Sequence, residues 1–134
     1  HFKGEESMIK FPEYFMWGAA TSAPQSEGYA LNYGKSASTW DKWFEMHPEK
    51  FNEHQGPNSA SDTYRLYKED VTNMQRIGLN SFRTSIAWTR LMPDGEHVNP
   101  EAVVFYRDYF KRLKAANITP IINLFHFILI CLGG

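Results

Sequence analysis

The sequence predicts an α/β fold of parallel strands joined by crossover helices. Two observations carry it. Stretches with the two-residue period of a strand alternate with stretches of helical period, and the helical stretches are bounded by capping and stop residues. The order along the chain is strand, loops and helix, strand, helix, strand.

Residues 1–10 read as a loose lead-in. The aromatic run Tyr14 to Ala19 is expected to be a buried strand, followed by a tight loop through Thr21, Ser22, Ala23, Pro24 and Gln25. Thr39 is expected to cap a short helix carrying Trp40, Trp43 and Phe44. Pro48 stops it, because proline removes a backbone donor and clashes inside a helix. Residues 51–57 read as loop. Ser61 or Asp62 then serves as N-cap for a longer helix. Its apolar positions Tyr64, Tyr67, Val71, Met74 and Ile77 recur at helical spacing, and Gly78 ends it. Asn80 to Ala87 alternates as a strand, and Pro93-Asp94-Gly95 reads as a turn.

Asn99 caps the next helix, with Pro100 at its favoured first position and Glu101 at the positive end of the dipole. Ala102, Tyr106, Tyr109, Leu113 and Ala116 mark its buried face, and a third strand runs from Thr119 to Phe125. Right-handed crossovers set successive strands side by side with helices outside. Three strands cannot close a barrel, and a complete eight-stranded one takes about 250 residues. The fold class expected is therefore an incomplete (β/α)8 TIM barrel, its first three strands with their helices and loops. Such an open section exposes strand edges and apolar faces, so weak stability and self-association through the barrel edges are expected.

Composition narrows the function classes. Among 134 residues, 14 basic and 15 acidic side chains are intermixed for a net charge of −1. No basic stripe tracks a phosphate backbone, which argues against nucleic acid as a partner. The single Cys131 has no internal partner and no CxxC spacing occurs, so neither a disulfide nor a zinc site is expected, consistent with a reducing compartment. The apolar stretch Ile118 to Leu132 is interrupted by Pro120, Asn123 and His126 and reads as no membrane span. The N-terminus lacks the charged-then-apolar order of a secretory signal, so a cytoplasmic location is expected. Aromatic residues make up 16% of the chain, a share that suits core packing and sugar rings alike.

In parallel β/α barrels the working residues lie at the C-terminal ends of strands and in the loops that follow. Strand one leads into Gln25 and Glu27, strand two carries Arg83 and ends near Trp88, and strand three ends at His126. Three polar groups suited to sugar hydroxyls, Gln25, Arg83 and His126, are thus expected on one face. Singly, each has an ordinary reading. Gln25 reads first as a solvated loop residue and His126 as a satisfied core histidine. Arg83 reads equally as a structural or a functional cation, since a buried charge requires an anionic partner.

Together these residues sit in longer blocks. Phe15-Met16-Trp17-Gly18-Ala19-Ala20-Thr21-Ser22-Ala23-Pro24-Gln25-Ser26-Glu27-Gly28 resembles the N-terminal signature of glycoside hydrolase family 1. Tyr67 to Val71, Asn80 to Arg90, and Pro120 to Phe127 agree with that family in order and spacing, so the resemblance spans residues 11–127. It implies that Gln25 and His126 hydrogen-bond the hydroxyls of the non-reducing sugar. It further implies that Arg83 lies beside the nucleophilic carboxylate and keeps it ionised, since a nearby cation lowers a carboxylate pKa. Phe127, where plain β-glucosidases carry Trp, and the Pro24-Gln25-Ser26-Glu27 and Arg83-Thr84-Ser85 stretches are more like the 6-phospho-β-glucosidase branch. The implied substrate is a 6-phospho-β-glucoside, with an ordinary β-glucoside or a 6-phospho-β-galactoside as alternatives. No metal or organic cofactor is implied.

The implied chemistry is retaining hydrolysis by two carboxylates about 5 Å apart. In the family these are glutamates, in an Asn-Glu after strand four and in a Glu-Asn-Gly near strand seven. Neither motif is expected in this sequence, and Glu27, Glu45, Glu69 and Glu101 are not expected to be their equivalents. After His126-Phe127, Ile128 stands where the family has Asp and Ile130 where it has Pro. Residues 128–134 therefore read as a divergent tail, expected to be truncated. By itself the chain is expected to be inactive, a non-catalytic sugar-binding or assembly fragment being the alternative role.

Overall fold

The structure is a computed structural model that describes residues 9–28, 33–56, 60–126 and 129–130. The expected lead-in through residue 8, Phe127, Ile128 and residues 131–134 lie outside the described residues. The elements are β1 (Gly18–Ala20), α1 (Ala23–Ser26), α2 (Thr39–Met46), α3 (Thr63–Arg76), β2 (Ser81–Ser85), α4 (Trp88–Leu91), α5 (Pro100–Ala115) and β3 (Thr119–Asn123). The three strands form one open parallel sheet in the order β1-β2-β3. Gly18 stands opposite Ser81, and Arg83 lies between Ala20 and Ile121.

α5 follows its sequence signals closely. The Asn99 side chain accepts a hydrogen bond from the Glu101 amide at 3.1 Å, and Pro100 opens the helix. Its inner face buries Ala102, Phe105, Tyr106, Tyr109 and Leu113, which join Val71, Phe82 and Ile118 in the main core. α3 packs on this face through Tyr64, Tyr67 and Met74, and Gly78 follows it with a φ of 82°, which a side chain would resist. Because side chains alternate along a strand, Phe82 and Thr84 turn to the helices while Ser81, Arg83 and Ser85 turn to the other face. Gly18 lets β1 approach: a Cβ there would lie 2.3 Å from Ser81 Oγ.

Several expectations are corrected. Tyr14 to Ala19 is not a buried strand: only Gly18–Ala20 is extended, and Tyr14 is 88% exposed. Among the described residues β1 has a neighbour on one side only, and Phe11, Phe15 and Trp17 gather on each other instead, with ring centroids 4.7 Å apart. The tight loop after it becomes a turn of helix, α1, with Pro24 tolerated in its first turn. The cap of α2 is Ser38 rather than Thr39, its hydroxyl accepting from the Asp41 amide while Asp41 accepts from the Ser38 amide. Asp62 precedes α3 with a left-handed φ of 54°, not the extended backbone of a capping residue, so its side chain caps no amide; its Oδ2 accepts from Arg65 at 2.7 Å instead. Ile77, placed on the apolar face, is exposed.

One buried polar cluster links the layers. Arg90, fully buried, donates through Nε to Glu27 Oε2 at 2.8 Å and through Nη2 to the Gly28 carbonyl at 3.1 Å. The Tyr106 hydroxyl donates to the other Glu27 oxygen and accepts from the Ala87 amide at 2.8 Å. The Arg90 guanidinium also lies 4.1 Å from the Tyr64 ring centre. Residues after β1, after β2 and on α5 are thereby tied at one point. Burial pushes the Glu27 carboxyl above its usual range, the charge of Arg90 opposing it, and holds the Tyr106 phenol well above its ordinary value.

Arg90→Met leaves Glu27 buried without its counter-charge and is expected to cost about 3–5 kcal/mol in urea unfolding. Adding Glu27→Gln should recover part of that loss; a single-variant cost below about 1 kcal/mol would contradict the buried pairing. The phenols give a second expectation. Burial raises Tyr106 and Tyr109 in the folded chain, whereas unfolded tyrosine ionises near pH 10. Above about pH 10 the unfolded chain sheds protons the folded chain keeps, so stability falls as pH rises further. Phenolate absorbance should show these two ionising only as the fold is lost; if both titrate reversibly near pH 10 with the fold intact, their burial is wrong.

Candidate functional site

At the C-terminal end of the sheet the backbone leaves each strand into a tightly bonded turn. The Thr21 amide donates to the Arg83 carbonyl at 2.8 Å, and the Ala23 amide donates to Ser85 Oγ at 2.8 Å. These bonds pin α1 to the end of β2. On α1, Gln25 is exposed, and its Oε1 accepts from the Ser22 hydroxyl at 2.7 Å. That bond orients the amide and leaves Nε2 as a donor. On the other side, the Ile86 amide donates to the Asn123 carbonyl at 3.1 Å, and Trp88 Nε1 donates to the Leu124 carbonyl. His126 follows, half-buried, with Nδ1 3.4 Å from Asn123 Nδ2.

Gln25 and His126 open on one cleft of about 440 Å³, shared with Ser22, Pro24, Trp40, Phe51, Gly56 and Ala60. The structure thus brings together two of the three residues singled out from the sequence. Arg83 is half-buried on β2 and is not part of that lining. It has no ion pair among the described residues; the buried anion expected for an arginine belongs to Arg90 instead. Sequence reasoning placed Arg90 within a motif but gave it no role. The register of a four-residue helix after the strand, α4, is what turns it inward.

Trp40 and Phe51 were also missed as cleft residues. The sequence places Trp40 on a short helix and Phe51 in a loop without a role for either, and only the fold leaves Trp40 44% exposed. Against the expectation that no such motif occurs, the chain carries one Asn-Glu dipeptide, Asn52-Glu53, in a single exposed 3-10 turn before α3 and on no strand. Among the described residues no glutamate lines the cleft, and no group of three His, Cys, Asp or Glu side chains is placed to hold a metal ion. Among the described residues no helix is long and apolar enough to cross a membrane.

Comparison with known proteins adds the family. The sequence matches the family model described as Glycosyl hydrolase family 1 over residues 7–130. It is 46% identical over 119 residues to 6-phospho-beta-glucosidase GmuD of Bacillus subtilis (strain 168), covering 88% of this chain and 26% of that protein. It is 40% identical over 124 residues to Beta-glucosidase 12 of Oryza sativa subsp. indica, covering 90% and 24%. Among solved structures, the psychrophilic β-glucosidase BglU of Micrococcus antarcticus superposes with a TM-score of 0.86 at 37% identity, over 91% of this chain and 26% of that one. The family 1 β-glucosidase of Thermotoga maritima gives 0.84 at 34%, over 90% and 27%. The chain therefore spans about a quarter of the length of the curated relatives it matches.

Ser85→Ala removes the acceptor of the buried Ala23 amide and should cost about 1–3 kcal/mol. Hydrogen exchange at Ala23 should quicken with it; exchange that stays unchanged would mean that α1 is held by something else.

Proposed function

The chain belongs to glycosyl hydrolase family 1, and from that membership we propose that it forms the sugar-holding part of a retaining 6-phospho-β-glucosidase site. The observation that carries this reading is the shared cleft: Gln25 and His126 open on one space at the C-terminal end of parallel strands, where such folds do their chemistry. Held by Ser22, Gln25 presents a donor to a sugar hydroxyl, and the His126 imidazole supplies a second polar partner. Arg83, turned to the face opposite the helices, is the cation that would lower the pKa of a nucleophilic carboxylate brought beside it. In retaining hydrolysis one carboxylate attacks the sugar's carbon 1, while the other protonates the leaving oxygen and then activates water.

Neither carboxylate is among the glutamates here. Glu27 is consumed in its pair with Arg90, while Glu45, Glu69 and Glu101 are exposed and not part of the cleft lining. The 134 residues alone are therefore a binding piece without turnover. The phosphorylated substrate class is supported by the greater similarity to a 6-phospho-β-glucosidase than to the plant enzymes. Unphosphorylated β-glucosides are the second reading, favoured by the β-glucosidases among the structural neighbours. A phosphorylated sugar is made at import and used in the cytoplasm, where this reading puts the protein.

The test uses two proteins. The purified chain should hydrolyse neither nitrophenyl 6-phospho-β-glucoside nor its unphosphorylated analogue. A chimera with residues 11–127 in place of the matching segment of the Bacillus enzyme should hydrolyse the phosphorylated one, and Gln25→Ala should lower that rate by about a hundredfold. A folded chimera without activity, or one indifferent to Gln25→Ala, would sink the reading. Turnover by the chain alone that vanished on Gln25→Ala would refute the absence of catalytic carboxylates.

A further inference from the structure

A second hollow of about 550 Å³ lies between the first two turns of α3 and those of α5. Tyr33 reaches it from the turn before α2, Tyr64 and Tyr67 from α3, and Glu101, Val104 and Phe105 from α5. None of these residues lines the cleft that Gln25 and His126 share.

The rings make a continuous wall. Tyr33 and Tyr64 lie with centroids 5.2 Å apart, Tyr64 and Phe105 4.7 Å, and Tyr67 meets Phe105 edge-on at 5.3 Å. Tyr33 is half-exposed and holds a φ of 56°, a left-handed conformation that is costly for tyrosine. Asn99 keeps it there. Its Nδ2 donates to the Tyr33 carbonyl at 3.3 Å, while its Oδ1 accepts from the Glu101 amide at 3.1 Å. Gly34 permits this approach, since a Cβ there would lie 2.9 Å from Asn99 Nδ2. One side chain thus fixes the backbone of both the outer ring and the carboxylate. Glu101 is exposed and has no ion pair among the described residues.

We propose that this hollow binds a small quaternary ammonium compound, its cation resting on the Tyr33, Tyr64 and Phe105 rings and paired with Glu101. The proposal is separate from the glycosidase reading and stands without it. Ring faces carry negative charge density and attract cations, and a methylated cation suits them because water holds it weakly. The methyl groups also meet the apolar flank that Val104 adds. The same wall already draws cations at its margins: the Arg90 guanidinium lies 4.1 Å from the Tyr64 ring centre and Lys68 Nζ 5.7 Å from that of Tyr67. Arg90 is matched by Glu27, and Lys68 lines the next groove along the helices, so the unmatched charge of the hollow is that of Glu101. A neutral sugar is a poorer fit. It needs several donors and acceptors together, whereas the lining offers no amide or cationic side chain and the Tyr67 hydroxyl is given to Asp108 at 2.6 Å.

The test titrates the purified chain with choline and with its uncharged isostere, dimethylbutanol, followed by NMR. Choline should bind about tenfold more tightly than the isostere. Glu101→Gln should weaken choline severalfold and leave the isostere unchanged. Tyr33→Gly, which removes the ring and suits the left-handed backbone, should also weaken choline, and Tyr33→Phe should retain it. Gln25→Ala, in the strand-end cleft, should change neither ligand. Equal affinity for choline and the isostere would overturn the proposal, as would choline binding indifferent to both Glu101→Gln and Tyr33→Gly. So would a folded chain that binds no choline, or a lysine peptide or methyl glucoside that occupies the hollow more tightly.

Discussion

The pairing of Glu27 with Arg90 is the constraint on which the arrangement of this protein depends. Both side chains are removed from water, and an uncompensated charge of either sign in that place would be costly. The pair is tolerable because every oxygen of Glu27 has a donor, one from Arg90 and one from Tyr106. Satisfying it fixes three things together: the exit of β1, the helical turn after β2, and the rotation of α5. Gln25 stands two residues before Glu27 on the same short turn, so the position of a solvent-facing amide is dictated by a buried carboxylate.

This arrangement separates two arginines that look alike in sequence. Arg83 and Arg90 lie seven residues apart in one motif. The first lies on a strand and, by alternation, faces away from the helices. The second lies on the turn that follows, where the backbone has rotated, and is swallowed by the core. Period-two reasoning applies to the strand and ends with it, so it bears on the facing of Arg83 and has nothing to say about Arg90.

The same limit explains what was legible elsewhere. α5 was readable nearly to the residue because its signals are local: an asparagine cap, a proline, a repeating apolar face. β2 was readable because it is central and paired on both sides. Gln25 and His126 were singled out through strand-end logic and family resemblance, and the fold sets both on one cleft. The failures fall where burial depends on distant partners. The run from Tyr14 to Trp17 has the composition of a buried strand but not the neighbours that would bury it, and Trp40 owes its exposure to the placement of α2 rather than to its own surroundings in sequence.

The two outer strands share one direction, and this gives the sheet a polarity. A second copy laying its β3 edge along the first copy's β1 edge would continue the parallel pattern, yet the contact would use different surfaces on the two partners. Contacts of that kind never satisfy themselves in pairs. They go on until the curvature brings the last edge back to the first, or they run on as a filament. Were a second copy to add to this sheet, the shared direction of its strands would thus favour stacking one molecule onto the next over a closed pair.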